Sequence, residues 1–292
     1  MFPNYYLCIV IVAMPVKIVT DSVSDISPDI AAGLDITVVP LNIVIDGVAY
    51  RDGVDLTTEE FYRKLESEPI QTTTSTPAPY VFAAVYDSLA DDAEGILVVT
   101  IGRKLSATAD SAIKAVDAMK KKCRVAVVAS ELAMMAEGLL VVAAAKAARE
   151  GASLDELVKL TRRNIPRVGI RIAFDTLEYL KRGGRIGKAQ AMLGSMLGIN
   201  PILGIKDGEV FPFGRERSRA KALEHLCQFV AEYQKIDELA VEDATTPDET
   251  GAFVEQLCSK FPRERIYLSK VSPVIGTNVG PRVIGVAVLG DR

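Results

Sequence analysis

Short apolar runs alternate with stretches of helical period along the first half of this chain. Residues 16–20, 96–101 and 124–129 are rich in β-branched side chains and nearly continuous in apolar character. That is the pattern of strands covered on both faces, and with helices between them it predicts a parallel sheet. Residues 36–45 read as extended and end in Asp46-Gly47, a hairpin turn. Thr57 with Glu60 makes a capping box for a helix through Phe61, Tyr62 and Leu65. Pro77 follows Thr76 as the first helical residue follows its cap. Ser106 precedes a helix whose apolar positions Ala109, Ala112, Ile113, Val116 and Met119 keep helical spacing. Residues 131–150 are apolar nearly all round and predict a deeply buried helix. Ser153 and Glu156 form another capping box, and that helix should end before Pro166.

From about residue 168 the character changes. A strand at 169–174 leads to a short helix from Thr176 and then to Gly183-Gly184. Lys206-Asp207-Gly208-Glu209 signals a hairpin, Thr246-Pro247 a helix start, and residues 266–269 and 283–289 read as strands. The fold class is α/β: a parallel-sheet N-terminal domain over 14–165 and a mixed-sheet C-terminal domain over 166–292.

Composition narrows the function classes. The chain has 292 residues, 49% hydrophobic and 25% charged, with a net charge of −4. That length supports one large or two medium cores, and the charge offers no electrostatic footprint for nucleic acid. Basic residues at 120–122 and 215–221 sit where helix ends place them and read as solvated faces. Cys8, Cys123, Cys227 and Cys258 form no CxxC pair, so neither a zinc site nor a thioredoxin-like motif is supported. The only histidine, His225, flanks the apolar face of a predicted helix and removes the usual Ser-His and Cys-His constellations. No catalytic residue and no metal site is expected. The apolar run within residues 1–13 is shorter than the roughly twenty residues that span a bilayer. It also lacks the basic residues of a secretory signal. Met14 reads as the natural start, with 1–13 an N-terminal extension; a short strand or anchor is the alternative. No stable membrane insertion is expected.

The polar residues that could hold a ligand are mostly hydroxyls. Thr20-Asp21-Ser22, Thr100 and Ser130 fall at the carboxyl ends of the parallel strands, where open sheets bind ligands. Thr72-Thr73-Thr74-Ser75-Thr76-Pro77 and Ser106-Ala107-Thr108 precede predicted helices, whose free N–H groups suit a carboxylate or phosphate. Ordinary capping explains such residues too, although five hydroxyls in succession exceed what a cap needs. Lys181-Arg182-Gly183-Gly184-Arg185-Ile186-Gly187 lacks the ending of a nucleotide loop. Its glycines read more simply as a helix stop, while Arg185 offers a planar fork for an anion. Residues 189–205 carry no charge, and Ala191, Gly194, Ser195 and Gly198 would share one helical face. Either another helix or an acyl chain could lie on that face, with Met192, Leu193, Met196 and Leu197 as adaptable apolar neighbours. Residues 272–281 read only as a tight glycine-rich turn.

In this order the segments resemble the DegV family. The resemblance rests on Lys17-Ile18-Val19-Thr20-Asp21-Ser22, Thr74-Ser75-Thr76-Pro77 and Leu105-Ser106-Ala107-Thr108. It continues through Asp175-Thr176-Leu177-Glu178-Tyr179-Leu180-Lys181-Arg182-Gly183-Gly184-Arg185-Ile186 and Leu197-Gly198-Ile199-Asn200-Pro201-Ile202-Leu203, and closes on Val274-Ile275-Gly276-Thr277. It implies a cytoplasmic bacterial protein of two α/β domains that binds a long-chain fatty acid between them, with no cofactor. Thr74, Ser75 and Ser106 would hold the carboxylate, with Thr277 and Asn278 nearby and Arg185 as a phosphate or partner contact. Many members serve as the lipid-binding subunit of fatty acid kinase, presenting the carboxylate to a separate ATP-binding subunit and feeding phospholipid synthesis.

Three departures stand out. Asn278 occupies a position where the family often has histidine; an amide still donates to a carboxylate but adds no charge. Ala107 replaces a usual glycine, and Gly102-Arg103-Lys104 replaces common serines, bringing two cations toward the head group. Two other readings remain open: a hydrolase using Ser106, which has no histidine base and no GxSxG elbow, and a lipid sensor with no kinase partner.

Overall fold

The computed structural model describes residues 14–195, 198–258 and 261–292. The extension at 1–13, the side chain of Ser195, and Met196 and Leu197 lie outside the described residues. The N-terminal half runs β1 (Val16–Asp21), α1 (Pro28–Leu34), β2 (Ile36–Val39), β3 (Asn42–Ile45), β4 (Val48–Arg51), α2 (Thr58–Ser67), β5 (Thr72–Ser75), α3 (Pro79–Leu89), β6 (Gly95–Thr100), α4 (Thr108–Ala118), β7 (Arg124–Ala129), α5 (Met135–Arg149) and α6 (Leu154–Asn164). The C-terminal half continues as β8 (Val168–Ala173), α7 (Glu178–Arg182), a 3-10 segment (Gly187–Ser195), β9 (Asn200–Lys206), β10 (Glu209–Glu216), α8 (Arg219–Ala231), β11 (Lys235–Asp243), α9 (Pro247–Cys258), β12 (Ile266–Lys270), α10 (Pro273–Val279) and β13 (Ile284–Asp291).

Among the described residues the strands form three sheets. A parallel sheet has the order β2-β1-β6-β7, a mixed sheet the order β10-β9-β8-β13-β11-β12, and a small antiparallel sheet the order β4-β3-β5. The expected fold class is therefore present. Strand β6 is buried along its whole length, as its unbroken apolar sequence requires. Both expected hairpins are present. Asp46 and Gly47 take φ of 47° and 86°, and Asp207 and Gly208 take 53° and 76°, the paired left-handed conformations of a two-residue turn whose twist matches the strands. The Thr57 capping box is made: Glu60 N donates to Thr57 Oγ1 at 3.2 Å, and Thr57 N to Glu60 Oε2 at 3.1 Å.

The long apolar helix α5 is a layer shared by both large sheets. One continuous core joins Ile18 and Leu97 of the parallel sheet, Leu139 and Leu140 of α5, and Ala240 and Ala287 of the mixed sheet. Each buried leucine contributes about 1.5–3 kcal/mol, and a helix apolar on every side lets both sheets draw on it. Gly138 allows the closest approach, since a Cβ there would meet Ser24 O at 2.6 Å.

Three segments differ from the sequence reading. The threonine run does not open a helix: Thr72–Ser75 is strand β5, and α3 starts at Pro79. Threonines favour extended backbone, and Ala78, preceding Pro79, is driven out of the helical region; it sits at φ −67°, ψ 153°. Residues 189–205 do not form one helical face. Among the described residues, a 3-10 segment covers Gly187–Ser195, Gly198 takes φ +70°, and strand β9 begins at Asn200, with Pro201 unsuited to a helix interior. Residues 272–281 are more than a turn: Ser272-Pro273 starts α10, and Gly280 at φ +77° ends it. Strand β11 was not expected, because Glu238, Glu242 and Asp243 mask its apolar face.

Candidate ligand-binding site

Four polar residues from separate segments line one apolar cavity between the two large sheets: Thr74, Ser106, Arg185 and Asn278. Its volume is about 90 Å3, and its apolar wall includes Ile101, Leu105, Phe174, Leu203, Ile275 and Val279. Ser106 and Arg185 also line an outer basin of about 560 Å3, together with Arg103, Lys104 and Glu209. Ser106 and Arg185 thus stand where the cavity meets the outer basin, while Thr74 and Asn278 line the cavity alone.

Strand alternation places the first of them. In β5 Thr72 and Thr74 are half-buried while Thr73 and Ser75 are exposed. Successive side chains of a strand point to opposite faces, so Thr74 faces the cavity and its neighbour cannot. Ser75 lies outside the lining, and its Oγ accepts from Asn42 Nδ2 at 3.5 Å.

Ser106 ends a tight loop anchored by backbone. Gly102 N donates to Leu132 O at 2.9 Å, and Ser106 N to Gly102 O at 3.1 Å. A Cβ at residue 102 would sit 2.8 Å from the Glu131 Cα, so glycine there is a packing requirement. Ser106 Oγ lies 2.8 Å from Thr108 Oγ1. Ala107 occupies the cap position of α4 without any side-chain cap, which leaves the Ser106 hydroxyl beside the cavity rather than spent on its own helix. Below the loop, buried Asp21 accepts from Ile101 N at 3.0 Å and from Val23 N at 2.9 Å. Burial raises its pKa to about 7 against the pull of those two N–H groups. Asp21 thereby fixes Ile101 in the cavity wall.

Asn278 and Arg185 come from elements that interlock through glycines. A Cβ at Gly183 would collide with Asn278 Oδ1, and one at Gly280 would strike the Tyr179 ring. The Gly183-Gly184 pair and the end of α10 are thus fitted to each other, which accounts physically for the length of the 175–186 block. Asn278 Nδ2 donates to Val274 O at 3.3 Å. Arg185 Nη1 donates to Gly183 O at 2.8 Å, and its Nε to Leu105 O at 3.4 Å. Thr277, by contrast, is buried outside the lining, and its hydroxyl donates to Pro273 O at 3.1 Å within its own helix.

The cavity wall was mostly missed from sequence. Met192 and Leu193 are half-buried beside the core but do not line the cavity. Ile172 and Phe174 do, and their i, i+2 spacing at the end of β8 was the available signal. His225 lies on α8, its Nδ1 3.2 Å from Glu216 Oε1 and outside the cavity lining. Among the described residues no three potential ligands are grouped to hold a metal ion. None of the described helices is long and apolar enough to cross a membrane.

Hydroxyl and amide donors with one guanidinium, set in an apolar wall, have the chemistry to suit an amphipathic molecule with an acidic head. Comparison with known proteins gives the same architecture. A family model described as "Uncharacterised protein, DegV family" matches residues 15–291, and the chain belongs to the DegV family. A DegV domain-containing protein of Caldanaerobacter subterraneus is 36% identical over 278 residues, covering 93% of this chain and 97% of that protein. The structure titled "Fatty Acid Binding of a DegV family Protein from Thermus thermophilus" superposes with a TM-score of 0.86 at 34% identity, over 95% of this chain and 100% of that one. A stearic-acid-binding protein from Eubacterium ventriosum superposes with a TM-score of 0.83 at 27% identity, over 94% of this chain and 98% of that one.

Proposed function

We propose that this chain binds a long-chain fatty acid, with the carboxylate at the mouth formed by Thr74, Ser106, Asn278 and Arg185 and the tail in the apolar interior. The observation that carries this reading is the convergence of those four residues, far apart in sequence, on one apolar cavity. Hydroxyl and amide donors suit a carboxylate, and hydrogen bonds to a charged group contribute about 1.5–3 kcal/mol each. Family membership and the fatty acids bound by its structural relatives support the same ligand class. An engineered apolar cavity of roughly 150 Å3 takes a molecule the size of benzene, so an acyl tail enters the 90 Å3 space only as its walls part. In this reading residues 14–165 and 166–292 act as two domains, and the tail lies between them.

The protein then acts without chemistry of its own, as a cytoplasmic carrier that presents the carboxylate to a separate ATP-binding kinase subunit for acyl-phosphate formation. The basic outer basin with Arg103, Lys104 and Arg185 suits that partner's phosphate-bearing substrate. A Ser106 hydrolase is disfavoured by a specific observation. Lys104, the nearest basic candidate in sequence, donates to Asp207 O at 2.8 Å and pairs with Glu209 at 3.3 Å. Mass spectrometry of lipid extracted from the purified protein tests the proposal. A stoichiometric fatty acid is expected; absence of any lipid, with no uptake of added palmitate, overturns it.

A further inference from the structure

Asp25, in the loop after β1, and Glu242, on β11, meet across the seam between the N-terminal and C-terminal halves. They are 4% and 0% exposed, and their side chains lie in hydrogen-bonding contact with each other. Each spends one oxygen on a main-chain donor: Ser272 N donates to Asp25 Oδ1 at 3.1 Å, and Met135 N to Glu242 Oε2 at 3.1 Å. The remaining oxygens, Asp25 Oδ2 and Glu242 Oε1, find no donor among the described residues. Buried polar atoms are almost always paired, and an ionised carboxylate only accepts. The pair is therefore satisfied when one carboxyl carries a proton and donates it to the other.

The seam is built around this pair. Ser269 Oγ donates to Asp25 O, and Met134 N to Val23 O at 2.9 Å. Gly285 on β13 makes room for Glu242, since a Cβ there would sit 3.1 Å from Glu242 Cγ. The pair also adjoins the cavity wall. Met134 precedes one of its main-chain donors, Val274 lies two residues beyond the other, and Val23 lies two residues before Asp25; all three line the cavity. The surrounding groups are Asp21 at the end of β1, Asp52 after β4, Tyr62 on α2, Glu137 on α5 and Asp243 on β11. The Lys270 ammonium of β12 is committed to Asp243 at 2.9 Å. Among these groups no cation is left to neutralise a second charge on the pair. Burial, and for Asp25 the Glu242 charge beside it, holds both carboxyls above the usual carboxylate range.

We propose that Asp25 and Glu242 form a proton-held clasp: losing the shared proton sets two anions in contact and lets the halves part beside the cavity, so that bound fatty acid exchanges faster at alkaline pH. Faster ligand exchange rests on the fatty-acid reading above; the clasp itself does not. Two like charges in a seam closed to water repel far more strongly than in solution, and water relieves them only by entering between the halves. That opening is the movement the cavity needs, because an acyl tail is admitted only as the walls part. With the proton in place, the loop after β1 is joined through the pair to β11, to the start of α5 and to the start of α10.

Hydrogen exchange on the ligand-free full-length protein tests the clasp. Protection of the Met135 and Ser272 amides, corrected for intrinsic exchange, is expected to fall by about tenfold or more between about pH 6 and about pH 9. At the higher pH both should be less protected than Val98 on β6, which opens only with the whole fold. Asp25→Asn supplies an amide donor that needs no titrating proton, so it should restore about tenfold of that protection at about pH 9. Should it fail to fold, Glu242→Gln makes the same substitution from the other side. No fall in the parent, protection at about pH 9 equal to that of Val98, or a folded amide variant that restores nothing would each overturn the clasp. Release of fluorescently labelled palmitate to phosphatidylcholine vesicles then reads the link to the ligand. It should quicken with pH in the parent and much less in the amide variant, both meeting the same ionisation of the fatty acid; equal acceleration overturns that link. If no fatty acid binds, the earlier reading fails while the amide data still judge the clasp.

Discussion

Arg185 Nε donates to the main-chain oxygen of Leu105, 3.4 Å away across eighty residues of sequence. The loop that carries Ser106 is thereby tied to the loop that follows α7. The same guanidinium holds Gly183 O at 2.8 Å, so Arg185 braces two walls of the mouth as well as bringing charge to it. Replacing it with alanine is expected to weaken palmitate binding about tenfold, the scale of one charge-assisted hydrogen bond. Arg185→Lys should recover only part of the loss, since a point charge cannot reproduce a planar two-way brace. Displacement of a fluorescent fatty acid reads both; equal affinity of Arg185→Ala and the parent would refute the assignment.

Thr74 and Ser75 are neighbours in sequence but face opposite ways on β5. Thr74→Val should therefore weaken fatty-acid binding about tenfold, while Ser75→Ala leaves it within about twofold. Thr277→Val tests a related distinction. Its hydroxyl is spent on Pro273 O, so the loss should appear as a lower melting temperature, by roughly 1 kcal/mol of stability, with affinity nearly unchanged. Binding isotherms and thermal melts on the same samples separate the two effects.

Gly183 and Asn278 offer a packing test. Gly183→Ala drives a methyl group into Asn278 Oδ1, and overpacking of this kind costs about 1–3 kcal/mol. Asn278→Ala should cost little by itself and should restore part of the stability in the double variant, because contacting residues couple non-additively. Strict additivity in a denaturant cycle would show that the two segments do not interlock as described.

Acidity should affect this protein in an unusual direction. Burial raises Asp21, Asp52 and Glu242 to about 7, and Asp25 and Glu137 well above the ordinary carboxylate range. Each is raised relative to the unfolded chain, so across that window the folded state holds protons that the unfolded state has released. Stability falls with rising pH wherever the folded state binds more protons. Their contribution is complete below the unfolded values and is lost as pH climbs through about 7. The melting temperature should therefore be higher at about pH 5.5 than at about pH 8, as scanning calorimetry can check; the opposite trend would contradict the burial of this cluster.

Much of the fold could be read because local signals agreed with tertiary ones. The unbroken apolar run of β6, the Thr57–Glu60 box and the Asp-Gly turns each specify one local conformation, and the structure has all three. Where two local signals competed, reading failed. Thr72–Ser75 carries both capping residues and strand formers, and pairing of Thr74 with Ile43 on β3 decided for the strand. Ser272-Pro273 is the same cap-and-proline start that was recognised at Thr246, but the glycines around it suggested a loop. Of the polar residues singled out, Thr74, Ser106, Arg185 and Asn278 share the cavity, while Ser75 and Thr277 do not line it. A two-residue period decides the first exclusion, and a bond within α10 the second. Neither follows from a motif. The cavity wall was the least legible part, because Ile172 and Leu203 meet only through the β8–β9 pairing, and apolar strand residues look alike whether they face a core or a ligand.

Carboxyl-labelled palmitate, followed by carbon-13 resonance, tests the central claim most directly. A single bound carboxyl signal should appear at one equivalent, shift in Ser106→Ala and Thr74→Val, and stay unmoved in Ser75→Ala. A bound signal indifferent to Ser106 and Thr74, or no bound signal at all, would place the head group elsewhere and contradict the site.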